Sequence, residues 1–264
     1  MRCKSVGFTA VLLSFLFQVP LAQGALAAEP GSGGSVEEEA PPLVTDRPDF
    51  TESSSAVPRS RLQLEIGSEV AGGGGSTNVV PVSVLARYGI ARVGELRLGT
   101  TPMEATFAPG EDGATRGLAD VTVGGKLADS LAEGLRAGVI PWTKLERPTT
   151  GATVSSGAIA TVALDAGGPV SLAANFGGSY LFDSGASGGF QGRGSVASGI
   201  GITRDFGTFV ELYATVRPPG PMRLFADTGV TYLLTPHLQL DGYVAAGLPE
   251  FQRFSGGLGV SFLL

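Results

Sequence analysis

Apolar and polar residues alternate at every second position along most of this chain, and the alternation continues to the last residue. In the closing stretch, residues 254–264, apolar side chains and one glycine occupy the even-numbered positions, and mostly serine and glycine occupy the odd-numbered ones. A period of two residues is the side-chain period of a β-strand. The apolar rows contain no charged residue, which is typical of strands with lipid on one side and a polar lumen on the other. We therefore expect an all-β fold, an antiparallel up-and-down transmembrane β-barrel.

The alternation predicts about twelve strands of about 9–11 residues, the length that a tilted strand needs to cross a bilayer. They fill residues 61–264, and the strand near residues 135–145 has the weakest pattern. The alternative fold is a secreted β-sandwich, whose strands also bury one face. Charged residues make up only 16% of the chain, and the mean hydropathy is +0.24. Both values favour the barrel.

The connections between the predicted strands mostly alternate between long and short. Residues 71–78 and 100–116 are predicted to be long connections, and residues 89–91 a tight turn. Residues 218–221 break the alternation because they are short where a long connection is expected. Long loops outside and short periplasmic turns are typical of outer-membrane barrels. With an even number of strands, both termini are expected on the periplasmic side.

The beginning of the chain predicts export. Residues 1–27 are expected to be a signal peptide, with a positively charged start, an apolar stretch and the cleavage sequence Ala25-Leu26-Ala27. Residues 28–42, rich in small and acidic residues, are expected to be a disordered leader. We therefore expect the bacterial outer membrane as the location. Outer-membrane lipid and the barrel assembly machinery are the expected partners, and the oligomeric state is left open.

The composition argues against several functional classes. The formal net charge of −6 becomes −8 when Arg2 and Lys4 are removed with the signal peptide, and an acidic chain is a poor partner for nucleic acid. Cys3, the only cysteine, is removed as well. The only histidine, His237, follows a proline in a predicted turn, so neither a Cys/His metal site nor a histidine-based catalytic site is expected. We expect no enzymatic activity and no cofactor.

Residues 43–60, called here the N-terminal segment, differ from the strands that follow. The sequence LVTDRPDFTESSSAVPRS is polar and mixed in charge, and Pro48 and Pro58 prevent continuous pairing in a sheet. The segment is either a solvated periplasmic linker or a plug that folds back into the barrel, where its charges would be paired. The expected plug and lumen residues are Asp46, Arg47, Asp49, Glu52, Glu65, Arg87, Arg97, Arg193, Glu211 and Arg217.

The N-terminal segment also resembles the opening of a known family. Residues 45–53, TDRPDFTES, are similar to the T-D-R-P-D-x-T-E-S motif of the "MetA-pathway of phenol degradation" family, whose members are predicted outer-membrane transporters. Val57-Pro58 and the strand opening at residues 62–65, LQLE, match the family as well, and residues 258–264 are similar to its closing strand. The chain ends in Leu264, whereas many barrel chains end in Phe. The resemblance implies a transporter of phenolic or other aromatic compounds.

Two functions are compatible with these features. The first is a channel for passive uptake or efflux of small-molecule solutes, including aromatic or hydrophobic compounds, with Tyr213, Tyr243 and Trp142 as candidates to line the path. The alternative is a structural or adhesion-type barrel with a closed lumen, in which surface loops such as residues 100–116 are important. A barrel of about twelve strands lies between side-chain-filled eight-stranded barrels and open porins. Its lumen is therefore expected to pass small solutes unless it is plugged.

Overall fold

The structure, a computed structural model, describes residues 43–110, 114–146, 153–165, 167–183, 188–247 and 253–264. The expected signal peptide, residues 1–27, and the expected leader, residues 28–42, lie outside the described residues. No helix in the described part of the chain is long and apolar enough to cross a membrane.

Twelve antiparallel strands form one closed barrel, in which each strand pairs with its neighbours in sequence and β1 pairs with β12. This confirms the predicted fold. The strands are β1 (Leu62–Gly73), β2 (Ser76–Ala91), β3 (Gly94–Phe107), β4 (Ala114–Ala132), β5 (Leu135–Glu146), β6 (Thr153–Asp165), β7 (Val170–Asp183), β8 (Gly189–Gly201), β9 (Phe206–Val216), β10 (Arg223–Thr235), β11 (Leu238–Gly247) and β12 (Arg253–Leu263).

Nine of the twelve strands are longer than the predicted 9–11 residues, with 19 in β4, whereas β9, β11 and β12 have 10 or 11. The additional residues are mostly small or polar and extend the ladders beyond the apolar rows. Backbone hydrogen bonds between strands do not require apolar side chains, so the ladder continues where the hydrophobic signal has ended. The closing pair illustrates this, because β1 and β12 remain in register from Gln63↔Leu263 to Gly73↔Arg253.

The barrel is apolar on the outside and charged on the inside. On its outer surface, Phe176 and Leu258 are 78% and 70% exposed, whereas Arg87 and Lys126 inside are 0% and 1% exposed. This distribution is the reverse of that in a soluble protein, and it fits a barrel with lipid outside and a polar interior. Apolar side chains also lie inside, among them a small cluster of Leu43, Val57 and Leu263.

The barrel has a terminal end, where β1 begins and β12 ends, and an opposite loop end. Connections at the terminal end comprise residues 92–93, 133–134, 166–169, 202–205 and 236–237, and those at the loop end comprise residues 74–75, 108–113, 147–152, 184–188, 217–222 and 248–252. Most connections at the loop end are longer, as the sequence predicted. That the terminal end faces the periplasm stays a prediction.

Three predictions about the connections were wrong. The long connection predicted at residues 100–116 spans only residues 108–113, because β3 extends to Phe107 and β4 begins at Ala114. Residues 71–78 form no long loop, because β1 and β2 are joined by the two-residue turn Gly74-Gly75. Both glycines have positive φ, 64° and 84°, which a tight hairpin turn of this kind requires. Conversely, residues 217–222 are a longer connection than the predicted short one at residues 218–221, because β9 ends at Val216 and β10 does not begin until Arg223.

Candidate functional site

The N-terminal segment lies inside the barrel, which it enters from the terminal end. Near this entrance Leu43 N donates a hydrogen bond to Pro236 O, and Arg59 forms a bridge with Gly89 of β2. Polar groups from β1–β6, β8, β9, β11 and β12 hydrogen-bond to it. These groups belong to Gln63, Glu65, Arg87, Glu95, Arg97, Lys126, Arg136, Thr161, Arg193, Ser195, Glu211, Gln239, Asp241 and Leu258.

Asp46 is the centre of these contacts. Lys126 Nζ lies 2.8 Å from both of its carboxylate oxygens, Arg87 Nη1 lies 3.3 Å from Oδ2, and Arg97 Nη1 also bonds Oδ2. Ser53 N donates to Asp46 Oδ1 at 2.8 Å, so the carboxylate also fixes the fold of the segment. Burial alone would raise the pKa of the Asp46 carboxyl. The charges of Arg87, Lys126 and Arg97 outweigh burial and hold this pKa well below its usual value.

Two buried carboxylates complete the cluster around Arg87. Glu65 accepts from Arg87 Nη1 at 2.9 Å, and Glu95 accepts from Arg87 Nε at 2.8 Å. Both also accept backbone N–H groups of the N-terminal segment, Glu65 from Asp46 and Glu95 from Val57. Buried charges of this kind are stable only when they are paired and hydrogen-bonded. The segment therefore supplies part of the pairing that the interior of the barrel requires.

A second group of contacts holds the middle of the segment. Phe50 N donates to Glu211 at 2.7 Å, and the hydroxyl oxygens of Thr51 and Ser195 are 2.6 Å apart. Arg193 donates to Phe50 O at 2.9 Å, and its guanidinium carbon lies 3.7 Å from the centre of the Phe50 ring. The ring of Phe50 also stacks on the ring of Tyr213, with centroids 4.3 Å apart. Hydrogen bonds, a cation–π contact and aromatic stacking thus act at one point.

The other charged residues of the segment have different environments. Arg47 pairs with Asp241 at 3.3 Å and donates to Leu258 O at 3.2 Å. Burial raises the pKa of the Asp49 carboxyl well above its usual value, and the nearby carboxylate of Glu211 raises it further. Asp49 is therefore an acid whose charge the lumen disfavours, whereas Asp46 is one whose charge the lumen stabilises.

All predicted site residues except Arg217 lie in the N-terminal segment or contact it. Arg217 instead lies beyond the end of β9 at the loop end, where it is exposed. Sequence reasoning did not select Glu95 or Lys126 as site residues, although both are among the most deeply buried side chains. Their signal was present, because each is a charged residue in the polar row of a predicted strand. His237 lies in the terminal-end connection, and none of the described residues form a cluster suited to a metal ion.

Cavities lie on both sides of the segment. One, of about 730 Å³, lies towards the loop end and is lined by Phe50, Glu52, Trp142 and Arg193, among others. The other, also about 730 Å³, lies at the terminal end, with Val57 in its wall. Of the aromatic residues predicted to line a path, Trp142 lines the first cavity, Tyr213 stacks on Phe50, and Tyr243 hydrogen-bonds to Glu69.

Solved structures with the same fold are outer-membrane proteins. An outer membrane channel from Pseudomonas putida F1 has a TM-score of 0.61 at 12% identity, over 80% of this chain and 98% of the other. The NanC porin has a TM-score of 0.55 at 13% identity, over 75% and 98%. The KdgM porin in complex with oligogalacturonate has a TM-score of 0.51 at 11% identity, over 76% and 98%. These structural relatives are porins and channels rather than enzymes, and at such identities they show the fold.

Comparison with curated protein sequences gives no match. The model of one protein family, described as "Putative MetA-pathway of phenol degradation", matches residues 45–263. The match includes most of the N-terminal segment as well as the barrel, which agrees with the resemblance seen in the TDRPDFTES sequence. The chain is thus an outer-membrane β-barrel that belongs to the "Putative MetA-pathway of phenol degradation" family.

Proposed function

We propose that the protein is an outer-membrane channel for the passive movement of small molecules, and that the N-terminal segment is its plug. The observation that carries this proposal is that the lumen is filled by a separate length of chain. In small eight-stranded barrels the interior is filled by the side chains of the strands themselves. Here the middle of the barrel is occupied by residues 43–57, which are joined covalently to the barrel only through their C-terminal side.

The chemistry of the contacts supports a plug that can leave. Apart from the small cluster of Leu43, Val57 and Leu263 and the stacked ring of Phe50, the segment is held mainly by hydrogen bonds and ion pairs. Water can replace such bonds, whereas apolar side chains packed in a hydrophobic core would resist hydration. Departure of the segment would expose a wall of Arg, Lys, Glu and Ser side chains, which is the lining of a water-filled pore.

A reversible crosslink tests whether movement of the segment controls conduction. Ser54 Oγ donates to Thr161 Oγ1 of β6 at 3.0 Å, so these positions are close enough for an engineered disulfide. The variant Ser54→Cys/Thr161→Cys is made with Cys3→Ser, which removes the only native cysteine. Single-channel conductance in planar bilayers is recorded in oxidant and after addition of a reductant. The two single-cysteine variants are the matched controls.

We expect openings to disappear on oxidation and to return on reduction, and we expect neither change in the single-cysteine variants. Deletion of residues 43–57 is the complementary experiment, and it is expected to give a permanently open pore that swells liposomes in sugars and in phenol. If the oxidised and reduced double variant conduct equally, the segment is not a mobile plug. If neither the reduced double variant nor the deletion variant passes any solute, the protein is a structural barrel rather than a channel.

A further inference from the structure

Three arginines line one wall of the loop-end cavity. Arg193 on β8 and Arg223 on β10 are both paired with Thr215, from the two sides of β9. Arg217 follows two residues after Thr215, and all three arginines line the cavity. Positive charges that line one part of a cleft attract anions to it.

The structure provides no fixed anion for this cluster. Among the described residues, none of the three arginines has a carboxylate within ion-pair distance, and Arg193 Nε is buried without a hydrogen-bond partner. Glu52 and Glu211 act on Arg193 through space, but Glu52 already pairs with Arg97. Glu211 likewise accepts hydrogen bonds from Phe50 N and from the Thr51 hydroxyl. The arginine cluster therefore keeps its capacity to bind an anion.

Aromatic rings lie next to the arginines. Phe50, Tyr213 and Phe225 form a continuous stack, with centroid separations of 4.3 Å and 4.9 Å. Tyr213 and Phe225 are the next inward-facing residues after Thr215 and Arg223 on their strands, so the stack lies one step deeper in the barrel. Of the aromatic rings, Phe50 and Trp142 line the cavity itself. A volume of about 730 Å³ is in the range of pockets for small organic ligands.

We propose that the loop-end cavity is a binding site for small aromatic carboxylates. The arginine cluster binds the carboxylate through charge-assisted hydrogen bonds, which guanidinium groups can make in pairs. Trp142 provides a ring against which a ligand ring can stack, whereas both faces of Phe50 are already covered, by Tyr213 and by Arg193. This inference rests on the proposed channel function and gives it a substrate class. A neutral phenol would use the stacking surface but gain nothing from the arginines.

Tryptophan fluorescence tests this site directly, because Trp142 is the only tryptophan of the chain and lines the cavity. The refolded full-length protein is titrated with benzoate, and three probes separate the contributions of charge and ring. Phenol carries the ring without the charge, acetate the charge without the ring, and benzylamine the ring with the opposite charge. We expect saturable binding of benzoate, weaker binding of phenol and acetate, and the weakest binding of benzylamine.

The triple variant Arg193→Gln/Arg217→Gln/Arg223→Gln is expected to bind benzoate at least about tenfold more weakly, because a hydrogen bond to a charged group contributes about that factor. Its affinity for phenol should remain unchanged. Arg204→Gln, in the connection at the terminal end, removes one positive charge far from the cavity and is the matched control. The double variant Arg217→Gln/Arg223→Gln leaves Arg193 and its contacts to Phe50 intact. A loss of benzoate binding in this variant therefore cannot result from displacement of the N-terminal segment.

Equal binding of benzoate and phenol, or unchanged binding of benzoate in the triple variant, would overturn the proposal. Equal binding of benzoate and acetate would show that the aromatic ring of the ligand does not contribute to binding, and would overturn that part of the proposal. Because fluorescence reports binding without conduction, this outcome is independent of the channel itself. A protein that binds benzoate but conducts nothing after reduction of the engineered disulfide would refute the channel function and retain the site. A protein that conducts without preference for benzoate would retain the channel and refute the site.

Discussion

Replacement of Asp46 by Asn is expected to open the channel. Asn has almost the same shape as Asp and can still accept the hydrogen bond from Ser53 N, so the substitution removes chiefly the charge. Arg87 retains Glu65 and Glu95, and Arg97 retains Glu52 and Glu95. Lys126 has no such reserve, because Asp46 is the only carboxylate within ion-pair distance of it among the described residues.

The free-energy cost of Asp46→Asn in the closed state therefore arises chiefly at Lys126. With the segment in place, the Asp46→Asn substitution leaves the ammonium group of Lys126, a residue that is 1% exposed, without a counter-ion. Removal of one partner of a buried ion pair costs about 3–5 kcal/mol. When the segment leaves, water can solvate Lys126, so most of this cost falls on the closed state. Because about 1.4 kcal/mol corresponds to a factor of ten, the ratio of open to closed channels should rise by about two to three orders of magnitude.

Single-channel recording of the Asp46→Asn protein measures this ratio as the open probability. Asp49→Asn is the matched control, since it changes the same chemical group three residues further along the same segment. The lumen disfavours the charge of Asp49 and already raises the pKa of its carboxyl, so its removal should not open the channel. An Asp46→Asn protein that folds, as judged by the heat-modifiable mobility of the barrel, but keeps the wild-type open probability would refute the reasoning.

Three further predictions concern the same contacts. Adding Lys126→Met to Asp46→Asn should restore most of the closure in single-channel recordings, because loss of both partners of a buried pair costs far less than loss of one; additive effects would contradict this. The raised pKa of Asp49 means that its contribution to closure is complete below the ordinary aspartate pKa, about 3.9, and is lost as the pH rises through the raised value. Acidification from neutral pH should therefore lower the open probability, and Asp49→Asn should weaken this dependence; an identical pH profile in the variant would exclude this role. Finally, a Cβ on Gly89 would clash with the backbone oxygen of Pro58 in the N-terminal segment. Gly89→Ala should therefore reduce the free energy of unfolding by about 1–3 kcal/mol, the cost of overpacking, and so lower the urea midpoint. Gly189→Ala, which has open space around its Cβ, should leave the midpoint unchanged.

The architecture could be predicted from sequence because the two sides of each strand meet different solvents. Lipid excludes charge from every second position, and this constraint holds along the whole chain, so even the weak strand near residues 135–145 is present as Leu135–Glu146. The strand ends could not be predicted in the same way. At residues 71–78 the apolar row gives way to glycine, serine and threonine, but the ladder continues to Gly73↔Ser76.

The contacts of the segment were only partly predictable. A polar segment that contains both acidic and basic residues before the first strand suggested a plug. Which residues of the barrel it contacts depends on the geometry of the closed barrel. Asp46 and Lys126 are 80 residues apart, and their contact requires the registers of three successive strand pairs to be correct. Alternation identifies Lys126 as an inward-facing residue. It does not identify the depth at which Lys126 lies or the residue that it faces.

The distribution of bonds over strands from both halves of the barrel has a consequence for the order of assembly. Arg47, for instance, binds Asp241 and Leu258, whereas Asp46 binds side chains of β1 to β4. This binding surface exists only after β12 has joined β1. The N-terminal segment therefore precedes the barrel in sequence, but its full set of contacts can form only after the barrel has closed. We therefore expect docking to be completed last, after a nascent barrel has passed through a stage in which the segment is not yet fully bound.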